Sequence, residues 1–191
     1  MKNWIKIVAE SHDHPHARGE DEWFNAMHGM IAINVDAIKR ALESGRIKPE
    51  GTKSYPVKVM METIYGMNES EFGSNSFEDS NTGSFNVFGP PVEKSRLSSL
   101  PSEKMNEPVM FVMLDSLQAM WLTGFEKKPP EKSNPRPQIV DGNHRLYRRY
   151  LEGDMGTAEC VFISWEDTKK FTVDSRSGLP LAEIESQRKK K

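Results

Sequence analysis

The chain has 191 residues, 36% of them hydrophobic, with a formal net charge of -2 and a single cysteine, Cys160. Near-neutral charge sets aside a wholly basic nucleic-acid coat, so any polyanion surface has to be local. One cysteine sets aside an internal disulfide framework and fits a reducing cytoplasm; the opening "MKNWIKIVAE" lacks a signal peptide's apolar core, and no run approaches the about 20 apolar residues of a membrane span.

In chain order, "WIKIVAE" alternates apolar and polar residues and predicts a strand. The polar stretch from Ser11 to Glu20 reads as a loop, "DEWFNAMHG" as a short helix ending near Gly29, and "MIAINV" as a second strand. Asp36 is the expected cap of "AIKRALESG", whose Ala37, Ile38, Ala41 and Leu42 make one apolar face and whose Gly45 stops the helix. "YPVKVMMETIYGM" begins as a strand and finishes as a helical turn. From Asn68 to Asn106 the chain turns rich in Ser, Asn, Gly and Glu with isolated phenylalanines, which predicts a mobile loop or a functional lid. "EPVMFVML" reads as a buried strand, followed by a short helix "LQAMWL" capped by Asp115 or Ser116. A proline-broken loop, "FEKKPPEKSNPRP", carries Lys127, Lys128, Lys132 and Arg136. Trp121 and Trp165 read as core, and so does Cys160 in the strand "AECVFIS".

The most informative segment is "QIVDGNHRLYRRYLEG". A short apolar strand stops at Asp141-Gly142 and turns directly into a helix. Leu146, Tyr147, Tyr150 and Leu151 share one face of that helix, while His144 and Arg148, and Arg145 and Arg149, stack four apart on the other. Arg145 in the first turn opposes the helix dipole, a cost that a bound anion would remove. Two readings stay open on spacing alone: a compact phosphate site, or a plain cap by Asp141 with solvated arginines.

Residues Gln138 to Trp165 resemble the signature of the ParB/sulfiredoxin superfamily, a strand leading to a D-G-x-H-R turn, a helix, a glycine and a strand. The resemblance implies an α+β fold, a mixed sheet with short helices in a single domain, that holds nucleotide phosphates at this turn. Carried over by position, Gly142, Asn143, His144, Arg145 and Arg148 are the expected phosphate-binding residues. Asp141 and His144 would be catalytic, with Asp141 also taking a metal. The implied cofactors are ATP or CTP with Mg²⁺. Sulfiredoxin's reactive cysteine is replaced by Asn143, so sulfinic-acid reduction is not expected. With about 25 residues after Trp165, the helix-turn-helix and dimerisation segments of partition proteins, and so a chromosome-partition clamp, are not expected. The plasmid fertility-inhibition proteins of the oncogenic-suppression (Osa) type are similar in size and layout. They imply nucleotide hydrolysis coupled to DNA binding or cleavage, on behalf of a plasmid or phage. Two alternatives accompany this expectation: a non-catalytic inhibitor of a protein partner, and a small-metabolite kinase.

On this reading residues 1–67 form the N-terminal part of the domain, 68–106 a mobile polar insertion, 107–182 the nucleotide-binding core and 183–191 a charged tail. Lys127, Lys128, Lys132 and Arg149 are the expected DNA contacts. A rival site is "SHDHPH", where His12, His14 and His16 alternate and would point one way in an extended chain. An amidohydrolase barrel is set aside, because it needs about 250 residues and more histidines than His28 and His144.

Overall fold

The computed structural model describes residues 21–65, 78–79, 84–85 and 92–190. The first strand expected from the sequence and the histidines of "SHDHPH" lie outside them. The chain has α+β architecture and divides into two compact units, residues 1–50, 112–138 and 162–191 in the first, 51–111 and 139–161 in the second.

The first unit contains an antiparallel sheet in the order β1 (Trp23–Ala26), β2 (Ile31–Asn34), β10 (Thr172–Asp174). The segment expected as a short helix is therefore a hairpin strand. Trp23 pairs with Asn34 and Ala26 with Ile31, and Met27, His28 and Gly29 follow at φ 52, 55 and 79. Three consecutive left-handed residues cannot continue a right-handed helix, but they turn a hairpin. Every residue of β2 is buried, so this strand is central and its neighbours supply the pairing.

Helix α1 (Val35–Glu43) follows β2 directly. Its cap is Asn34, whose Oδ1 accepts from the Ala37 N–H at 2.8 Å, and not Asp36, which stands in the first turn and accepts from the Glu22 N–H. The cap falls two residues earlier because β2 ends on a side chain that already has the reach. Gly45 at φ 70 ends the helix as expected. Asp21, almost fully buried, receives both Arg40 guanidinium nitrogens at 2.7 Å, and that hydrogen bond raises the Arg40 pKa.

Asp115 caps α4 (Ser116–Leu122) through the Gln118 N–H and also accepts from Ser133 Oγ at 2.7 Å and the Asn134 N–H at 3.0 Å. One buried carboxylate thus starts a helix and closes the proline-broken loop that follows it. Trp165 is buried, opens the short helix α6 (Trp165–Thr168), and donates its indole N–H to the Gln118 side chain.

The charged C-terminal segment is not a tail. Leu181–Arg188 form helix α7, which buries Leu181 and Glu185. Glu185 reaches Lys169 at 2.5 Å and Lys189 at 2.8 Å. Burial works to lower the Lys169 pKa and to raise that of Glu185. The hydrogen bonds between them, with Glu166 on Lys169 and Lys189 on Glu185, outweigh burial and leave both groups charged.

In the second unit β3 (Gly51–Pro56) runs into α2 (Val57–Tyr65), so "YPVKVMMETIYGM" begins as a strand and ends helical as expected, with a helix longer than the single turn foreseen. Short strands β4 (Glu78–Asp79), β5 (Ser84–Phe85) and β6 (Val92–Glu93) pair antiparallel in that order. Helix α3 (Lys94–Ser99) and a 3-10 turn at Ser102–Asn106 follow, and both pack on α5 (Asn143–Leu151) together with α2. The polar stretch read as an insertion therefore includes ordered secondary structure from Val92 onward.

Strands β7 (Val109–Leu114), β8 (Arg136–Asp141) and β9 (Thr157–Ile163) complete a four-stranded sheet with β3, in the order β3-β9-β7-β8. The unbroken burial from Val109 to Val112 explains why that strand reads as a continuous apolar run with no alternation. Cys160 in β9 is fully buried against Met60, with Sγ and Sδ 3.6 Å apart. Burial, with Glu159 adding to it, pushes its thiol up to about 11, which makes it a packed core group with no thiolate at neutral pH. Among the described residues no helix is long and apolar enough to cross a membrane.

Candidate nucleotide site at the Asp-Gly turn

The turn is built as the sequence predicts. β8 delivers Asp141, Gly142 takes φ 90 and ψ 1, and α5 begins at Asn143. Gly142 is the N-cap residue and gives no side-chain cap; the first helical hydrogen bond runs from the Leu146 N–H to its carbonyl at 2.9 Å. Only glycine suits this place for two independent reasons. Its φ lies in the left-handed region, and a Cβ there would stand 3.1 Å from Val109 Cα and 3.0 Å from Arg145 Nη2. The helix thus packs closely on the first residue of β7.

Leu146 and Tyr147 are buried as expected, whereas Leu151 is half exposed. Burial pushes the Tyr147 hydroxyl up to about 12, with Tyr150 adding to it, so it stays neutral across the physiological range. Asn143 and His144, the first two residues of α5, are both partly buried.

Arg145 departs most from expectation. It is buried, not on a solvated face, and its guanidinium works within the protein: Nη2 donates to the Pro108 carbonyl at 2.9 Å and lies 3.4 Å from Asp141 Oδ2, while Nη1 is 3.6 Å from Glu107. Nε is buried and unpartnered. The dipole cost of a cation in the first turn is met here by two carboxylates and a carbonyl. Glu107 and Pro108 escaped sequence reasoning because they lie more than thirty residues upstream; the only local hint is an acidic residue flanking a buried strand.

Two further arginines are similarly engaged. Arg148 bonds Glu152 and the Leu100 carbonyl, each at 2.7 Å. Arg149 bonds Asp154 at 2.6 Å and the Thr157 carbonyl at 2.9 Å, and its hydrogen bond lowers the Asp154 pKa. These contacts hold Arg149 on the Gly153 turn, away from the free cationic role expected of it on DNA. Lys127, Lys128 and Lys132 are exposed on the loop after α4, in the first unit. Lys128 and Lys132 line a shallow groove with Glu126 and Glu131, which offset their charge.

The implied Mg²⁺ has one carboxylate at this turn, Asp141, shared with Arg145. Among the described residues no three His, Cys, Asp or Glu side chains converge as a metal cage. That donor set fits Mg²⁺ held mainly by phosphate oxygens and water, its usual mode with nucleotides, and not a tightly caged ion. Compared with family models, curated proteins and solved structures, the chain matches none.

Proposed function

We propose that the Asp-Gly turn binds the phosphates of a nucleotide, ATP or CTP with Mg²⁺, in the manner of the ParB/sulfiredoxin superfamily. One observation carries this reading. The strand ends in a left-handed glycine, and the helix after it starts without a side-chain cap, the backbone arrangement that receives phosphate at a helix N-terminus. The N–H groups of the first helical turn, with no side-chain cap on them, are the donors a phosphate would meet. Asn143 and His144 are the side chains nearest the helix start. His144 would hold or pass a proton at the terminal phosphate.

Arg145 acts from behind the turn. It fixes Asp141 and the Glu107–Pro108 segment and is a positioning residue more than a direct ligand. When bound, Mg²⁺ would neutralise phosphate charge, with Asp141 the residue placed to orient it or its waters. Hydrolysis, and its coupling to DNA binding or cleavage, extend the same proposal.

A second reading, a non-catalytic protein that keeps the turn as structure, draws support from the internal use of Arg145, Arg148 and Arg149. Calorimetry of the folded protein with ATP and with CTP, each with Mg²⁺, separates the two. Binding that is lost in Asn143→Pro or His144→Ala variants supports the first, and phosphate release then tests hydrolysis. Absence of binding by either nucleotide leaves the second.

A further inference from the structure

The nucleotide reading does not involve a cluster in the first unit, where two arginines and two aromatic rings meet at Gly124. Gly124 sits at φ 78 just beyond α4, and the Phe125 and Glu126 N–H groups both bond back to the Met120 carbonyl, at 2.9 and 3.1 Å. These two hydrogen bonds fix the backbone at Phe125, whose side chain stays 53% exposed. The Arg176 guanidinium lies 4.7 Å from the centre of the Phe125 ring, and that of Arg188 lies 5.3 Å from Trp121. Arg176 Nη2 and Arg188 Nη2 both lie within 4 Å of the point that a Gly124 Cβ would occupy. Two like charges thus converge on one place, each laid over an aromatic ring.

A simple structural explanation covers only half of this. Cations suit the C-terminal end of α4, and Arg176 donates to the Thr123 carbonyl there. Its Nε also lies 3.7 Å from Asp174. Arg188 makes no hydrogen bond or ion pair with any described residue, so its fork of donors is not used in holding the fold. Around the cluster Lys127 and Lys190 are exposed; Lys189 is exposed too but pairs with Glu185 at 2.8 Å, and the exposed Glu126 adjoins Phe125.

We infer that this face binds single-stranded nucleic acid, the two guanidinium groups taking a phosphodiester and the Phe125 ring stacking on a neighbouring base. Paired guanidinium forks match a tetrahedral phosphate. An exposed ring backed by the Arg176 guanidinium offers a stacking platform that only an unpaired base can use. Flanking lysines suit a continuing polyanion better than a lone anion. The inference stands independently of the Asp-Gly turn.

The test is fluorescence anisotropy of a labelled oligothymidylate of about 20 nucleotides at low salt, well above the site size of one such module. Wild type is expected to bind it more tightly than a duplex of equal length. Arg188→Gln and Phe125→Ala are each expected to weaken binding by roughly tenfold, in line with loss of one charged contact or one stacked base. Arg188→Gln should also flatten the salt dependence by about 0.7 in log–log slope. Circular dichroism checks that each variant is folded; should Arg188→Gln misfold, Phe125→Ala carries the test. Absence of binding at low salt, unchanged affinity in the folded variants, or equal affinity for duplex would each overturn the inference. So would displacement by polyglutamate as effective as by unlabelled oligonucleotide.

Discussion

Gly142→Ala tests how the turn is held. The alanine Cβ would meet Val109 Cα at 3.1 Å, Val109 Cγ2 at 3.2 Å and Arg145 Nη2 at 3.0 Å, while its backbone stays at φ 90. The left-handed conformation alone costs an L-residue roughly 1–2 kcal/mol. The steric part adds about 1–3 kcal/mol, because Val109 Cα, at 3.1 Å, belongs to a strand backbone and has little freedom to retreat. A total loss of about 3 kcal/mol follows, which for a chain of this size lowers the melting temperature by roughly 6–12 °C. Gly45→Ala is the control: Gly45 sits at φ 70 with nothing within 4 Å of a Cβ, so only the conformational part applies. Urea unfolding followed by tryptophan fluorescence on both variants isolates the steric contribution as their difference. Equal losses in the two would refute the close packing of the turn on β7.

Arg145→Ala is expected to lower stability by about 3 kcal/mol, since it removes a buried cation that bonds the Pro108 carbonyl and pairs with Asp141 and Glu107; chemical denaturation of the variant measures this, and a loss below about 1 kcal/mol would mean that the arginine is dispensable to the fold. Asp115→Ala removes a helix cap and two loop contacts together, for a loss of about 2 kcal/mol, and limited proteolysis should find cleavage in the 123–135 loop accelerated. Burial raises Tyr147 to about 12 and Cys160 to about 11, both above their ordinary values of 10.0 and 9.0. The unfolded chain therefore releases these protons first, so unfolding free energy is constant below about pH 9 for these groups and falls between there and pH 12. Tyr147→Phe should shallow that fall in a pH series of denaturant melts, and an unchanged slope would contradict the burial argument.

The sequence by itself determined the features that depend on neighbours along the chain. The buried strand at 109–114, the Asp115 cap, and the passage from β8 through Gly142 into α5 all follow from short-range periodicity and from one glycine's backbone freedom, whereas the α+β class is implied by the family resemblance. Tertiary structure alone decided what the charged residues do. Arg145 looks solvent-facing by helical spacing, yet it is buried because Glu107 and Pro108, distant in sequence, arrive as its acceptors. The segment "IESQRKKK" looks like a tail, yet Glu185 finds Lys169 in the fold and a helix forms around the pair. Trp23 and Phe24 become a strand because β2 offers them a partner edge. Arg176 and Arg188 are far from Phe125 and Trp121 along the chain and meet them only in the fold. The physical reason is common to all four: a charge or a strand edge is satisfied by whichever group the folded chain brings within hydrogen-bond reach, and local sequence carries no record of that group.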